Sequence, residues 1–230
     1  MIETNRQRIE HIARRLESLL DDMVFVGGAT TELLITAPYV RDIRATKDVD
    51  IIVDVLTRVD YYKLSDSLRA LGFQEKAGDG HPICRWAIDG ILVDIMPINP
   101  DILGFSNQWY ADAIRKADSL ELTTEITIRV ISPPYFLATK LEAFHGRGEE
   151  DIYTSHDMED ILTLIDGRPE LIDEVNRSPE NLRQYLIEQF SALLLDRDFA
   201  DAIYGFFPGD PVSQARVPRV MDKCRALARI

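Results

Sequence analysis

Apolar positions recur with two different periods along this chain of 230 residues. Ile9, Ile12, Ala13, Leu16, Leu19 and Leu20 fall at helical spacing with Arg14, Arg15 and Glu17 opposite, which predicts an amphipathic helix over 9–20. The unbroken run Met23-Val24-Phe25-Val26 predicts a short strand buried on both faces, and Gly27-Gly28 ends it. A helix from Ala29 to Thr36, stopped by Pro38, and a loop carrying Arg41, Arg44 and Lys47 come next. Val49, Ile51 and Val53 alternate with Asp48, Asp50, Ile52 and Asp54, as a strand does. Leu64, Leu68 and Leu71 mark a helix that ends at Gly72. Ile83 to Ile88 and Ile91 to Met96 then flank Asp89-Gly90, the signal for a two-residue hairpin turn. Ile126 to Ile131 predicts one more strand.

After Pro133-Pro134 the period becomes helical and stays so. Phe136, Leu137, Leu141 and Phe144 share one face, Met158, Ile161, Leu162 and Ile165 another, and further helices are expected over 182–195, 199–206 and 212–227. The predicted class is α+β: a mixed sheet with flanking helices over 1–132 and an all-helical half over 133–230.

Composition narrows the function classes. Thirty-nine acidic against 26 basic residues give a net charge of −13, the wrong balance for extended wrapping of duplex nucleic acid. No apolar run approaches the roughly 20 residues that span a bilayer, and Met1-Ile2-Glu3-Thr4-Asn5-Arg6 lacks the apolar core of a signal peptide. Cys84 and Cys224 form no CxxC pair, so neither a zinc site nor a disulfide framework is indicated. The expectation is a cytoplasmic protein without a membrane partner.

Candidate chemistry concentrates on a few acids. Asp48 and Asp50, two apart on a strand, point to one face with Cα atoms roughly 6.5–7 Å apart. Carboxylates that close repel unless a cation stands between them; they are either solvated acids at a strand end or ligands for magnesium, which takes oxygen donors. Asp94 lies inside Ile91-Leu92-Val93-Asp94-Ile95-Met96, and a buried carboxylate needs a partner. That partner is Arg85, another nearby cation, or a metal shared with the DxD pair. Asp54 lies roughly 13 Å from Asp50 by strand rise, too far to share a metal. Gly27-Gly28 either makes only a tight turn or lets a backbone approach phosphate oxygens, with amides at the following helix start donating to them. Lys140 shares its helix stripe with Phe136 and Phe144, and Asp157 stands one turn before Ile161. Charged residues on inward faces are paired or functional, so these two form an ion pair, serve a site, or both. His11, His81 and His145 show no metal-ligand spacing, and Trp86 and Trp109 read as core or interface.

The order of a glycine pair, a DxD strand and a single Asp on a hairpin strand resembles the polymerase-beta-like nucleotidyltransferase superfamily. Lys140-Leu141-Glu142-Ala143-Phe144, then Arg147, then His156-Asp157-Met158-Glu159-Asp160-Ile161, is similar to the AbiEii/AbiGii toxin branch. The resemblance covers about residues 23 to 166. It implies that Gly27, Gly28 and Thr30 hold nucleotide phosphates. Asp48, Asp50 and Asp94 would bind magnesium, with two ions expected, and Asp94 would also activate the acceptor. Lys140 would contact the triphosphate of an NTP, and Asp157 would complete the site. The chain departs from the pattern at Ala29, where a hydroxyl residue commonly stands, and at His156, which replaces an arginine after an insertion containing Gly148-Glu149-Glu150-Asp151. The implied activity is transfer of an NMP to a hydroxyl on a tRNA end or a protein, in a toxin or phage-defence role with an antitoxin partner. A small-molecule transferase and a catalytically silent nucleotide- or protein-binding member of the fold are the alternatives.

Overall fold

In the computed structural model, which describes residues 4–40, 43–76, 84–104, 106–146 and 151–229, the chain divides into two compact units. One comprises Met1–Leu33 and Arg44–Ser132; the other comprises Leu34–Ile43 and Pro133–Ile230. Arg41, His81, Ile83, Arg147, Gly148, Glu149, Glu150 and the first three residues lie outside the described residues.

The first unit is built on a mixed sheet of seven strands: β1 (Met23–Val26), β2 (Asp48–Val53), β3 (Gln74–Glu75), β4 (Arg85–Ile88), β5 (Ile91–Pro97), β6 (Asp118–Thr123) and β7 (Ile126–Val130). Their spatial order is β3-β4-β5-β2-β1-β7-β6. β2 runs parallel to β5 and β1 parallel to β7, while the other neighbours are antiparallel. All four residues of β1 are buried, so its sequence has no alternation to show. The β4–β5 hairpin turns at Asp89 (φ 50) and Gly90 (φ 81), the paired positive φ values of a tight two-residue turn. Helix α1 (Asn5–Leu16) buries Ile9, Ile12, Ala13 and Leu16, and Thr4 caps it through a reciprocal bond with Gln7.

Several elements differ from expectation. The first helix ends at Leu16, where Glu17 takes φ 48, and a 3₁₀ stretch covers Glu17–Asp22. After the glycines there is only a 3₁₀ turn, Gly28–Thr30, and a four-residue helix α2 (Thr31–Leu34). β3 and β6 went unpredicted because they are the two edges of the sheet. Edge strands facing water lack an apolar stripe, and both β3 residues are exposed, as is much of β6. Helix α3 (Arg58–Ala70) is capped by Thr57 and buries Leu68; short helices α4 (Pro100–Leu103) and α5 (Tyr110–Arg115) complete the unit.

The second unit is helical: α6 (Pro133–Gly146), α7 (His156–Gly167), α8 (Leu171–Asn176), α9 (Glu180–Leu195), α10 (Arg197–Ala202), α11 (Pro211–Gln214) and α12 (Val217–Leu227). The helix expected over 212–227 is split because Pro218 has no amide to continue it and its ring crowds the carbonyl four residues back. The stretch 34–43, which chain order assigns to the first half, packs with this unit. The Thr36 and Ala37 amides both donate to the Gly167 carbonyl, and Arg168 Nη1 donates to Leu34 O. Among the described residues no helix is long and apolar enough to cross a membrane.

Candidate active site

Strand register places the acids of the first unit in one row. Val26 on β1 lies opposite Asp50 on β2, Asp50 opposite Asp94 on β5, and Asp94 opposite Arg85 on β4. Residues directly opposed in a sheet share a face, and Asp48, two before Asp50, joins them there. The structure thus gathers Asp48, Asp50 and Asp94 and adds Arg85. Its Nε donates to Asp94 Oδ1 at 2.8 Å and its Nη2 to Asp94 Oδ2 at 2.7 Å, while Nη2 also reaches Asp48 Oδ2 at 3.1 Å. A two-pronged guanidinium–carboxylate pair of this kind satisfies the buried Asp94. The hydrogen bond to Asp94 raises the pKa of Arg85; burial opposes it, and the charges of Asp94, Asp48 and Asp50 support it. Arg85, one of the partners open to Asp94 from sequence, is in place. The hairpin turn carried that signal: Ile88 pairs with Ile91, so three residues outward Arg85 must meet Asp94.

Gly27 closes the row from the β1 side. Its φ of 71 and ψ of −171 belong to a region essentially reserved for glycine, and a Cβ there would lie 1.9 Å from Asp50 Oδ2. Asp50 and the turn therefore nest together only because residue 27 has no side chain. Gly28, Ala29 and Thr30 are buried behind it. The Thr30 amide (3.1 Å) and hydroxyl (2.8 Å) both donate to the Gly27 carbonyl, so that hydroxyl shapes the turn. With a helix of only four residues following, little macrodipole is available, and any phosphate held here would be held by the turn's own amides.

Magnesium tests well against the donor set and less well against the present arrangement. Hard carboxylate oxygens on adjacent strands are the ligands it takes. Among the described residues, however, no group of three potential metal ligands is already drawn together. Arg85 stands between Asp94 and Asp48. The residues fit a divalent ion in kind.

In the helical unit the structure brings Lys140 and Asp157 together and adds a third residue. Lys140 Nζ lies 2.8 Å from Asp157 Oδ1 and 2.7 Å from Asp160 Oδ2, with all three residues buried. The ammonium also lies 5.9 Å from the centre of the Phe136 ring. Burial pushes the Lys140 pKa down, yet Asp160 and Asp157 outweigh it and the net shift is upward. The three residues tie α6 to α7. Asp160 was open to detection: it stands three residues after Asp157, on the same helix face. Elsewhere, His11 pairs with Asp89 and His145 with Gln189. Trp86 and Trp109 are core residues, and Asp54 and Lys47 are exposed.

No protein-family model and no curated protein matches the chain. Solved structures do. An antigenic nucleotidyltransferase-like protein from Paracoccidioides brasiliensis aligns over 86% of this chain and 91% of its own, at 23% identity and a TM-score of 0.51. The antibiotic-resistance factor ANT(2'')-Ia aligns over 84% of this chain and 97% of its own, at 14% identity and a TM-score of 0.50. The chain has the fold of nucleotidyltransferase-like proteins, the polymerase-beta-like fold.

Proposed function

We propose that this chain is a magnesium-dependent nucleotidyltransferase that moves a nucleoside monophosphate from a triphosphate to a hydroxyl acceptor. The observation that carries the reading is the row of Asp50 and Asp94, in register on adjacent parallel strands with Asp48 on the same face, backed by the Gly27 turn. Asp48, Asp50 and Asp94 would hold the metal, which supplies charge neutralisation to the phosphates and alignment for in-line attack. The Gly27-Gly28 turn offers backbone amides to phosphate oxygens, and Thr30 keeps that turn in shape. In the reaction the acceptor oxygen bonds to the α-phosphorus while the bond from that phosphorus to its bridging oxygen breaks. Pyrophosphate leaves with the electron pair, and the hydroxyl proton goes to Asp94 once one of its oxygens is released from Arg85. The same reading has Lys140 contact the triphosphate and Asp157 complete the site.

The acceptor we assign is a tRNA end or a protein side chain, in a cytoplasmic toxin of AbiEii type with a cognate antitoxin. The net charge of −13 favours a short local contact with RNA over an extended one. The shared fold with an antibiotic-resistance factor places small-molecule hydroxyls in the same test. Labelled ATP, CTP, GTP and UTP are each incubated with magnesium and with total tRNA, cell lysate or antibiotic. We expect label to pass from one triphosphate to one acceptor class and to fall by at least roughly a hundredfold in Asp50→Asn. No transfer from any triphosphate to any acceptor would overturn the proposal.

A further inference from the structure

We propose that Arg85 is a built-in counter-ion that competes with the divalent metal for the carboxylates of the sheet site, so that metal loads by exchange with the guanidinium. The inference rests on the reading above only in taking Asp48, Asp50 and Asp94 as metal ligands.

The geometry is that of a stand-in cation. Arg85 extends from β4, beyond β5 from the DxD strand, yet its Nη2 bridges the two strands that carry the acids. That nitrogen lies 2.7 Å from Asp94 Oδ2 and 3.1 Å from Asp48 Oδ2, so it links two of the acids that would hold the metal. The second prong, from Nε, takes the remaining oxygen of Asp94. Magnesium needs its oxygens at about 2.0–2.1 Å, so carboxylates drawn in around an ion cannot keep the longer guanidinium contacts. The two positive charges would also repel at that separation.

Exchange is nevertheless open to both cations. Arg85 holds Asp94 by two contacts and Asp48 by one, and carboxylate oxygens of this kind attract a divalent ion as well. The Arg85 side chain is 18% exposed and that of Asp48 33%, so an ion arriving from water meets Asp48 without first unfolding the sheet. Arg85 takes only one oxygen of Asp48, and only by the longest of its three contacts, so Asp48 would be the first acid to give up the guanidinium. Two consequences follow. The metal-free site is held together rather than splayed by repulsion, and the apparent metal affinity is lowered by the fraction of molecules in which Arg85 holds the acids.

Manganese binding, read directly by the paramagnetic resonance of the free ion, tests this without any turnover. The proteins compared are the full chain, Arg85→Gln, Arg85→Lys, Asp50→Asn and the double variant Arg85→Gln/Asp50→Asn. Arg85→Gln is expected to bind the ion at least about tenfold more tightly than the unaltered chain. Arg85→Lys, which keeps the charge and loses the fork, should fall between them. The metal-free melting point of Arg85→Gln should drop by several degrees and return with saturating ion. Should the glutamine variant fail to fold, Arg85→Lys decides: tighter binding than the unaltered chain supports the exchange, and unchanged or weaker binding overturns it. Equal or weaker binding by a folded Arg85→Gln, alongside binding by the unaltered chain that Asp50→Asn abolishes, sinks the counter-ion and leaves the ligands standing. Absence of Asp50-dependent binding in every protein removes the ligand assignment itself, and the exchange with it.

Discussion

Arg85 in the sheet unit and Lys140 in the helical unit each bridge two aspartates, and the two clusters differ in nearly every other respect. Lys140, Asp157 and Asp160 have side chains 10%, 2% and 3% exposed; for Arg85, Asp48 and Asp94 the values are 18%, 33% and 11%. Lys140 meets two acids from adjacent turns of one helix, whereas Arg85 gathers acids from two strands that are far apart in sequence and adjacent in the sheet. An ammonium buried between two carboxylates is shielded from the cations of the solvent. A guanidinium at the rim of an acidic row faces water and competing cations. Burial, more than the identity of the charges, separates a cluster closed to the cations of the solvent from one that can trade its cation.

The largest effect that would break this distinction comes from removing each cation in turn. Lys140→Met strands two buried carboxylates and should cost about 3–5 kcal/mol. Arg85→Gln, with water to solvate Asp48, should cost about 1–2 kcal/mol. Urea unfolding measures both. Neutralising Asp157 and Asp160 to asparagine alongside Lys140→Met should recover most of the loss. Raising salt to about 1 M, where the screening length is about 3 Å, should shrink the Arg85 cost and spare that of Lys140. Equal costs with equal salt dependence would mean the two clusters do the same structural job.

Much of the sheet site was legible because its determinants are local. The apolar run of β1, the alternation of β2 and the Asp-Gly turn are each settled within a few residues, and the turn even fixes Arg85 against Asp94. The parallel pairing of β2 with β5, which sets Asp50 beside Asp94, is a long-range register that no single segment encodes. The same holds for 34–43, whose bonds to Gly167 and Arg168 cross more than a hundred residues of chain. β3 and β6 were illegible for a different reason, since edge strands facing water carry no apolar stripe. The inward placement of Lys140 and Asp157 followed from helical period alone. Asp160 was missed because a charged run near a helix start reads equally well as a solvated face.

A smaller effect should come from Gly27→Ala, which sharpens the comparison by loading strain on one cluster alone. The backbone there is unsuited to a side chain, and the new methyl would lie on Asp50 Oδ2. The cost should be about 1–3 kcal/mol, with divalent-ion binding weakened as Asp50 is pushed from the row. A crystal structure of the variant should show Asp50 displaced and the Lys140 cluster unchanged. An Asp50 carboxylate still in place, with full stability, would mean the turn relaxes freely and the glycine is not needed for the approach.

The gentlest probe uses the two thiols, one in each unit. Burial pushes the Cys84 thiol up to about 12, with Asp94 adding to it, and burial does the same for Cys224. A pKa raised above the unfolded value favours the folded state fully below the unfolded value, near 9, and that contribution is lost as pH rises towards 12. At about pH 8 both thiols stay protonated in the folded chain, and iodoacetamide should label them only through local opening. Cys84 immediately precedes β4, one strand from a two-residue edge, whereas Cys224 lies inside the 11-residue helix α12. Mass spectrometry of timed samples should therefore find Cys84 modified first. Lys140→Met should speed labelling of Cys224 and leave Cys84 unchanged, while Arg85→Gln should do the reverse. Labelling of both thiols at one rate in all three proteins would show that the units open together, and that each cluster steadies the whole chain rather than its own unit.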